Sequence, residues 1–231
     1  MLFLRLCGRI QKLTRPAPIS SWRRHLSGLP PSFPRNGQSK LVIWGILGVN
    51  AAVFAKWNLI HSYRELHHMT DNWTTSVGNL INHPWTLVTA AFSHQQPIHL
   101  IFNMLVFYSF APPLLSLLGA PRFLGFYCSG AVVASFAHIA YCFVTRRDSH
   151  SLGASGAINS MMVTFALLFP HSEFLIFGML PVPALIWVTG LATYEIVFLG
   201  DKSTTDRAGH LGGLAFGAAY YFLRLRRFRR F

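Results

Sequence analysis

From about residue 41 to 225 this chain is a succession of apolar segments, and its chemically useful polar residues sit in them or at their ends. Those that matter are His94, His99 and Asn103, then Ser155 with Gly153 before it, then His210. Hydrocarbon offers no partner to a backbone N–H or C=O, so such segments enter a bilayer as helices. Composition agrees: the chain is 52% hydrophobic and only 12% charged, about half the charged fraction of a soluble domain. The expected fold is an all-α polytopic membrane protein. A Ser, His or Asn at membrane depth is costly, and so marks a functional site by default.

A spanning helix needs about 20 mostly apolar residues. Six segments qualify: about Leu41–Leu59, Pro97–Leu118, Pro121–Val144, Gly153–Phe169, Phe174–Leu199 and Asp206–Leu223. Pro112 and Pro113 should kink or shorten the second. Pro181 and Pro183 interrupt the fifth near its start. The stretch from Ile60 to Ser93 is too polar to span. Its Trp73 and Trp85 suit an interfacial, partly helical loop.

The net charge of +13 does not mark a nucleic-acid binder, because the charge is terminal. Eight Lys/Arg fall in residues 1–40 and five Arg in 224–231, leaving seven bases and all seven acids between. Residues 1–40 hold no acid. Arg5, Arg9 and Lys12 keep helical spacing and Leu2, Leu6, Ile10 and Leu13 mark another face, the composition of an organellar transit peptide. Arg24-His25-Leu26-Ser27 reads as a processing site. The division expected is a presequence over 1–26, a linker over 27–40, a membrane domain over 41–225 and a basic tail over 226–231. Cys7, Cys128 and Cys142 form neither a disulfide framework nor a CxxC pair.

With six spans both termini lie on one side, and the basic tail makes that the inside. The second, fourth and sixth spans then all begin outside. His94, His99, Asn103, Ser155 and His210 therefore come to a common depth. Ser155 and His210 can pair as nucleophile and base. Gly153 and Gly156 flank Ser155, which opens a helix whose free N–H groups favour a developing negative charge. His99 and Asn103 share one helix face and can donate to the same oxyanion. Gly209, Gly213 and Gly217 form one small-residue stripe; Gly156, Ser160 and Thr164 form another. Such stripes allow close packing in lipid. Asp206 is placed to cap the sixth helix. No HExxH or cysteine cluster accompanies the His-x4-His-x3-Asn run, so neither a metal nor a cofactor is expected.

These motifs resemble the rhomboid family of intramembrane serine proteases. His94-Gln-Gln-Pro-Ile-His99-Leu-Ile-Phe-Asn103 is similar to the family's H-x4-H-x3-N. Gly153-Ala154-Ser155-Gly156 is similar to GxSG, and Ala208-Gly209-His210-Leu-Gly-Gly213 to A-x-H-x-x-G. The resemblance covers about residues 40–225 and points to the organellar, plant-type mitochondrial branch. It implies a six-helix rhomboid bundle with Ser155 as nucleophile and His210 as base. His99, Asn103 and the amides of Ser155 and Ala154 would form the oxyanion hole, and His94 would support it. It implies a dyad, with no Asp completing a triad and none needed. Substrates would be single-span membrane proteins. The enzyme would sit among lipid in the mitochondrial inner membrane, with a plastid membrane as the alternative.

Two departures stand out. Trp85 is followed by Thr86 where many rhomboids carry Arg. Asn159 occupies a place that is commonly aromatic, so His210 needs another orienting partner, for which a hydrogen bond to Asn159 is the candidate. The competing class is a catalytically silent rhomboid-like protein that binds or chaperones transmembrane clients. A transporter would show mid-membrane charge, and only Glu195, expected near the end of the fifth helix, offers any.

Overall fold

The computed structural model describes residues 37–147, 149–176, 180–201 and 206–226. The presequence, most of the linker and most of the basic tail lie outside these residues. The elements run α1 Gly37–Asn58, α2 Tyr63–Trp73, α3 Val77–Asn82, α4 Thr86–Thr89, a 3-10 turn Ala90–Phe92, α5 Pro97–Leu118 and α6 Ala120–Thr145. They continue with α7 Ser155–Leu168, β1 Glu173–Ile176, β2 Leu180–Pro183, α8 Ala184–Val197, α9 Arg207–Tyr220 and a π turn Tyr221–Leu225. The fold is an all-α membrane bundle carrying one short hairpin. Among the described residues, α1, α5 and α6 are long and apolar enough to cross a membrane.

The bundle is built around α7. Every residue from Gly156 to Ala166 is buried. At 14 residues this helix is only about 21 Å long, short of a hydrocarbon core of about 30 Å. Its neighbours shield it from lipid. Asn159, Ser160 and Thr164 therefore sit in protein, with Ser160 donating to the Ala157 carbonyl at 2.6 Å and Thr164 to the Gly217 carbonyl at 3.1 Å. On α5, by contrast, Ile98, Ile101, Phe102 and Leu105 are exposed on one face. That face is what lipid, rather than water, would cover.

The two small-residue stripes meet. A Cβ on Gly213 would strike the backbone of Gly156, and one on Gly217 the backbone of Ser160. Glycine here is a condition of the α7–α9 approach. The aromatic core lies beside it. Tyr127, Phe107 and Phe123 are fully buried and pack on one another, with Leu114, Leu115 and Met161 around them.

One expectation needs correction. The fifth segment is not helical from Phe174. Residues 173–176 and 180–183 pair antiparallel, Glu173 opposite Pro183 and Leu175 opposite Pro181. Neither proline has an N–H to continue a helix, and the fixed φ of Pro suits an edge strand. Helix α8 starts only at Ala184. The second segment runs from Pro97 to Leu118 as expected, with Pro112 and Pro113 inside α5 and Pro112 buried in the bundle. Tertiary burial outweighs the lost backbone bonds.

The stretch from 60 to 93 is partly helical, as its composition suggests. Ser62 caps α2 by accepting from the Glu65 amide, and the Glu65 carboxylate accepts from the His61 amide. That amide draws the exposed Glu65 carboxyl below its usual pKa. Thr75 and Ser151 exchange two backbone bonds of 2.8 Å, tying this stretch to the segment before α7.

Candidate active site

Helices α5, α7 and α9 all begin at the same end of the bundle, and their first turns meet there. Ser155 is the first residue of α7, where the amide has no acceptor within its own helix. His210 lies one turn into α9, whose start is fixed by Asp206: its carboxylate accepts from the Gly209 amide at 2.9 Å. The expected cap is made. Close packing of the stripes then brings Ser155 Oγ to 2.7 Å from His210 Nε2.

The second ring nitrogen of His210 is also engaged. Nδ1 lies 2.7 Å from Oε1 of Glu195, on the last turn of α8. The other carboxylate oxygen of Glu195 accepts from Arg207 at 3.2 Å. Glu195 and Arg207 are both buried, and the guanidinium stacks over Tyr194 at 4.8 Å. A carboxylate only accepts, so Nδ1 carries the proton and Nε2 presents a lone pair to the Ser155 hydroxyl.

One sequence expectation is thereby corrected: no bond to Asn159 orients His210, because both ring nitrogens are already taken. The resemblance implies no Asp as a third member; the carboxylate beside His210 is that of Glu195. The sequence did carry a signal for Glu195, the one acid within the fifth apolar segment. A charge there is costly unless paired.

The remaining residues gather on the α5 side. Gly153 adopts φ +127°. A Cβ there would lie 2.8 Å from the His99 ring, so the ring can pass over the chain only at glycine. His94 is fully buried and packs edge-to-face on His99, with centroids 4.9 Å apart. The Ala154 amide, expected to face an oxyanion, donates instead to His94 Nε2 at 3.4 Å. Burial, with His99 nearby, pushes His94 down to about 3. Asn103 donates an amide proton to the His99 carbonyl at 3.0 Å. Gly156 packs against Ala134. A cavity of about 20 Å³ adjoins Ser155 and His210, with Ser135, Ser151 and Asp206 in its wall. That is room for about one water. Among the described residues no cluster of three or more His, Cys, Asp or Glu side chains could hold a metal.

The sequence model of the Rhomboid domain matches residues 82–227. The chain belongs to the rhomboid family. Rhomboids are, in general, intramembrane serine proteases. "Rhomboid protein 1, mitochondrial" of Saccharomyces cerevisiae is 34% identical over 200 residues, covering 83% of this chain and 56% of that protein. "Presenilin-associated rhomboid-like protein A, mitochondrial" of Danio rerio is 30% identical over 190 residues, 79% and 48% of the two chains. "RHOMBOID-like protein 12, mitochondrial" of Arabidopsis thaliana is 30% identical over 225 residues, 90% and 63%. The chain spans 48–63% of the length of these three relatives. With its mitochondrial relatives and its apolar helices, this rhomboid is a multi-pass protein of the mitochondrial inner membrane.

Proposed function

We propose that this rhomboid is an intramembrane serine endopeptidase in which Ser155 attacks the peptide carbonyl and His210 takes the hydroxyl proton. The observation that carries this is the continuous hydrogen-bonded chain Ser155–His210–Glu195, with both links 2.7 Å. As Ser155 Oγ bonds the carbonyl carbon, its proton passes to His210 Nε2. The imidazolium so formed faces Glu195, which neutralises it and holds the tautomer. The oxyanion forms beside the Ser155 amide at the start of α7, with the His99 side chain as a second donor and Asn103 and His94 bracing it. His210 returns the proton to the leaving amine, and a water repeats the sequence on the acyl-enzyme.

The substrates proposed are single-span membrane proteins. A helical scissile bond has its carbonyl occupied, so the segment cleaved is one that unwinds locally at membrane depth. The proposed topology has six spans, with the site end facing the intermembrane space. Charge supports it. Among the described residues, connections and helix ends on the far side hold Lys40, Arg122, Arg224 and Arg226 against Glu173 alone, while the site side carries five bases and five acids.

A fluorophosphonate probe tests the nucleophile. It should label Ser155, as mapped by mass spectrometry, and labelling should vanish in His210→Ala. Labelling unchanged by His210→Ala would refute the assignment of the base.

A further inference from the structure

Behind the Ser155–His210 pair lies a second polar cluster that the proposed chemistry does not use. Its centre is His138 on α6, which is buried. Nδ1 lies 3.0 Å from Oδ1 of Asp206, and Nε2 lies 3.1 Å from the Ser149 carbonyl. A carboxylate and a carbonyl can only accept, so both bonds exist together only when both ring nitrogens carry protons. The Cys142 sulfur, 3.5 Å from Nε2, also bonds the Ser149 hydroxyl at 3.2 Å.

Asp206 does more than cap α9. Its Oδ2 accepts from the Ser151 hydroxyl at 2.5 Å. Ser151 stands four residues before Ser155, and Asp206 four before His210. One carboxylate thus joins the segment feeding the nucleophile to the helix carrying the base. His138 grips the same two elements, through Asp206 on one and Ser149 on the other. The backbone bridge from Thr75 to Ser151 holds the segment from its other side.

We infer that His138 and Asp206 form a charged clamp, a pair of positioning residues that holds the Ser155 segment against the helix of His210. The positioning half rests on the proposed hydrolase reading. The charged half does not. A cap alone would not need His138, since Asn caps a helix about as well as Asp. Asp206→Asn therefore separates the two roles. It leaves an acceptor for Gly209 but removes the charge facing the buried ring, which then has no reason to stay cationic.

The test uses the full chain in detergent micelles, with histidine nitrogens labelled for NMR and His138→Gln to assign the signal. At pH 7 both ring nitrogens of His138 should be protonated in the parent, and the ring should be neutral in Asp206→Asn. A neutral ring in the parent overturns the clamp, whether or not the chain cleaves anything. Turnover of a membrane substrate, measured per folded molecule, then reads the positioning. His138→Gln and Asp206→Asn should each lower kcat and Ser155 labelling by about tenfold or more, with KM within about twofold. The double variant should be no worse than the weaker single one. Full kcat in either single variant overturns the positioning role. A parent that neither labels nor cleaves refutes the hydrolase reading and positioning with it, while NMR still decides the charged pair.

Discussion

Glu195 Oε1 stands 2.7 Å from His210 Nδ1, and the carboxylate that bears it is buried against Arg207. A buried carboxylate between two donors leaves His210 one tautomer and one orientation. In the proposed reading it is this carboxylate, not Asn159, that orients His210.

Glu195→Gln keeps the shape and loses the charge. An amide can also donate, so the opposite tautomer becomes available and Nε2 is no longer reliably a base. We expect kcat to fall by about 10²–10⁴, with KM little changed. Steady-state kinetics on a reconstituted membrane substrate, beside the rate of Ser155 labelling, would check it. An unchanged kcat would make Glu195 a structural partner of Arg207 alone.

The α7–α9 approach should fail with one methyl group. Gly213→Ala pushes a Cβ into the Gly156 backbone, with no flexible side chain to give way. Overpacking of this kind costs about 1–3 kcal/mol. Thermal unfolding in detergent should show a lowered Tm, and activity should fall because the same contact sets the Ser155–His210 distance. Gly45→Ala on α1, where a Cβ meets open space, is the control.

His94 gives the fold an acid-side weakness. Its Nε2 accepts from Ala154, so protonation there breaks a bond and buries a charge. The folded pKa is pushed down to about 3 while the unfolded chain keeps the ordinary 6.5. Between those values the unfolded state binds the extra proton, so stability falls as pH drops through that window, by up to about 1.4 kcal/mol per pH unit. The stability advantage of the parent over His94→Gln should shrink from pH 7 to pH 4.5. A constant difference would contradict a buried neutral ring.

His99 and Asn103 should not contribute equally. The Asn103 amide already donates to the His99 carbonyl, whereas the His99 ring lies over Gly153, two residues before Ser155. His99→Ala should lower kcat by about 10²-fold or more, and Asn103→Ala by less. Equal losses at equal KM would show that both donate directly.

Much of this fold was legible. Apolar length located the helices, and the small-residue stripes foretold which two would touch. Asp206 showed itself as a cap by its place before a helical run. That Ser155 and His210 share one end of the bundle followed from counting spans. What stayed hidden depends on side-chain direction across elements. Glu195 was visible as an isolated acid, but spacing cannot say that its carboxylate turns toward α9. His138 sits in an apolar helix, and only the placement of Asp206 and Ser149 against it gives it partners. The hairpin stays hidden because 174–183 is as apolar as a spanning helix; Pro181 and Pro183 signal an interruption there but not the strand pairing.

Cleavage of a peptide bond within the membrane by a Ser–His pair is measured directly with a single-span substrate and the purified chain in proteoliposomes, beside Ser155→Ala and His210→Ala. The parent should cleave and neither variant should. An intact, folded parent that binds such substrates without cutting any of them would contradict the hydrolase reading, and would make this rhomboid a silent binder of transmembrane clients.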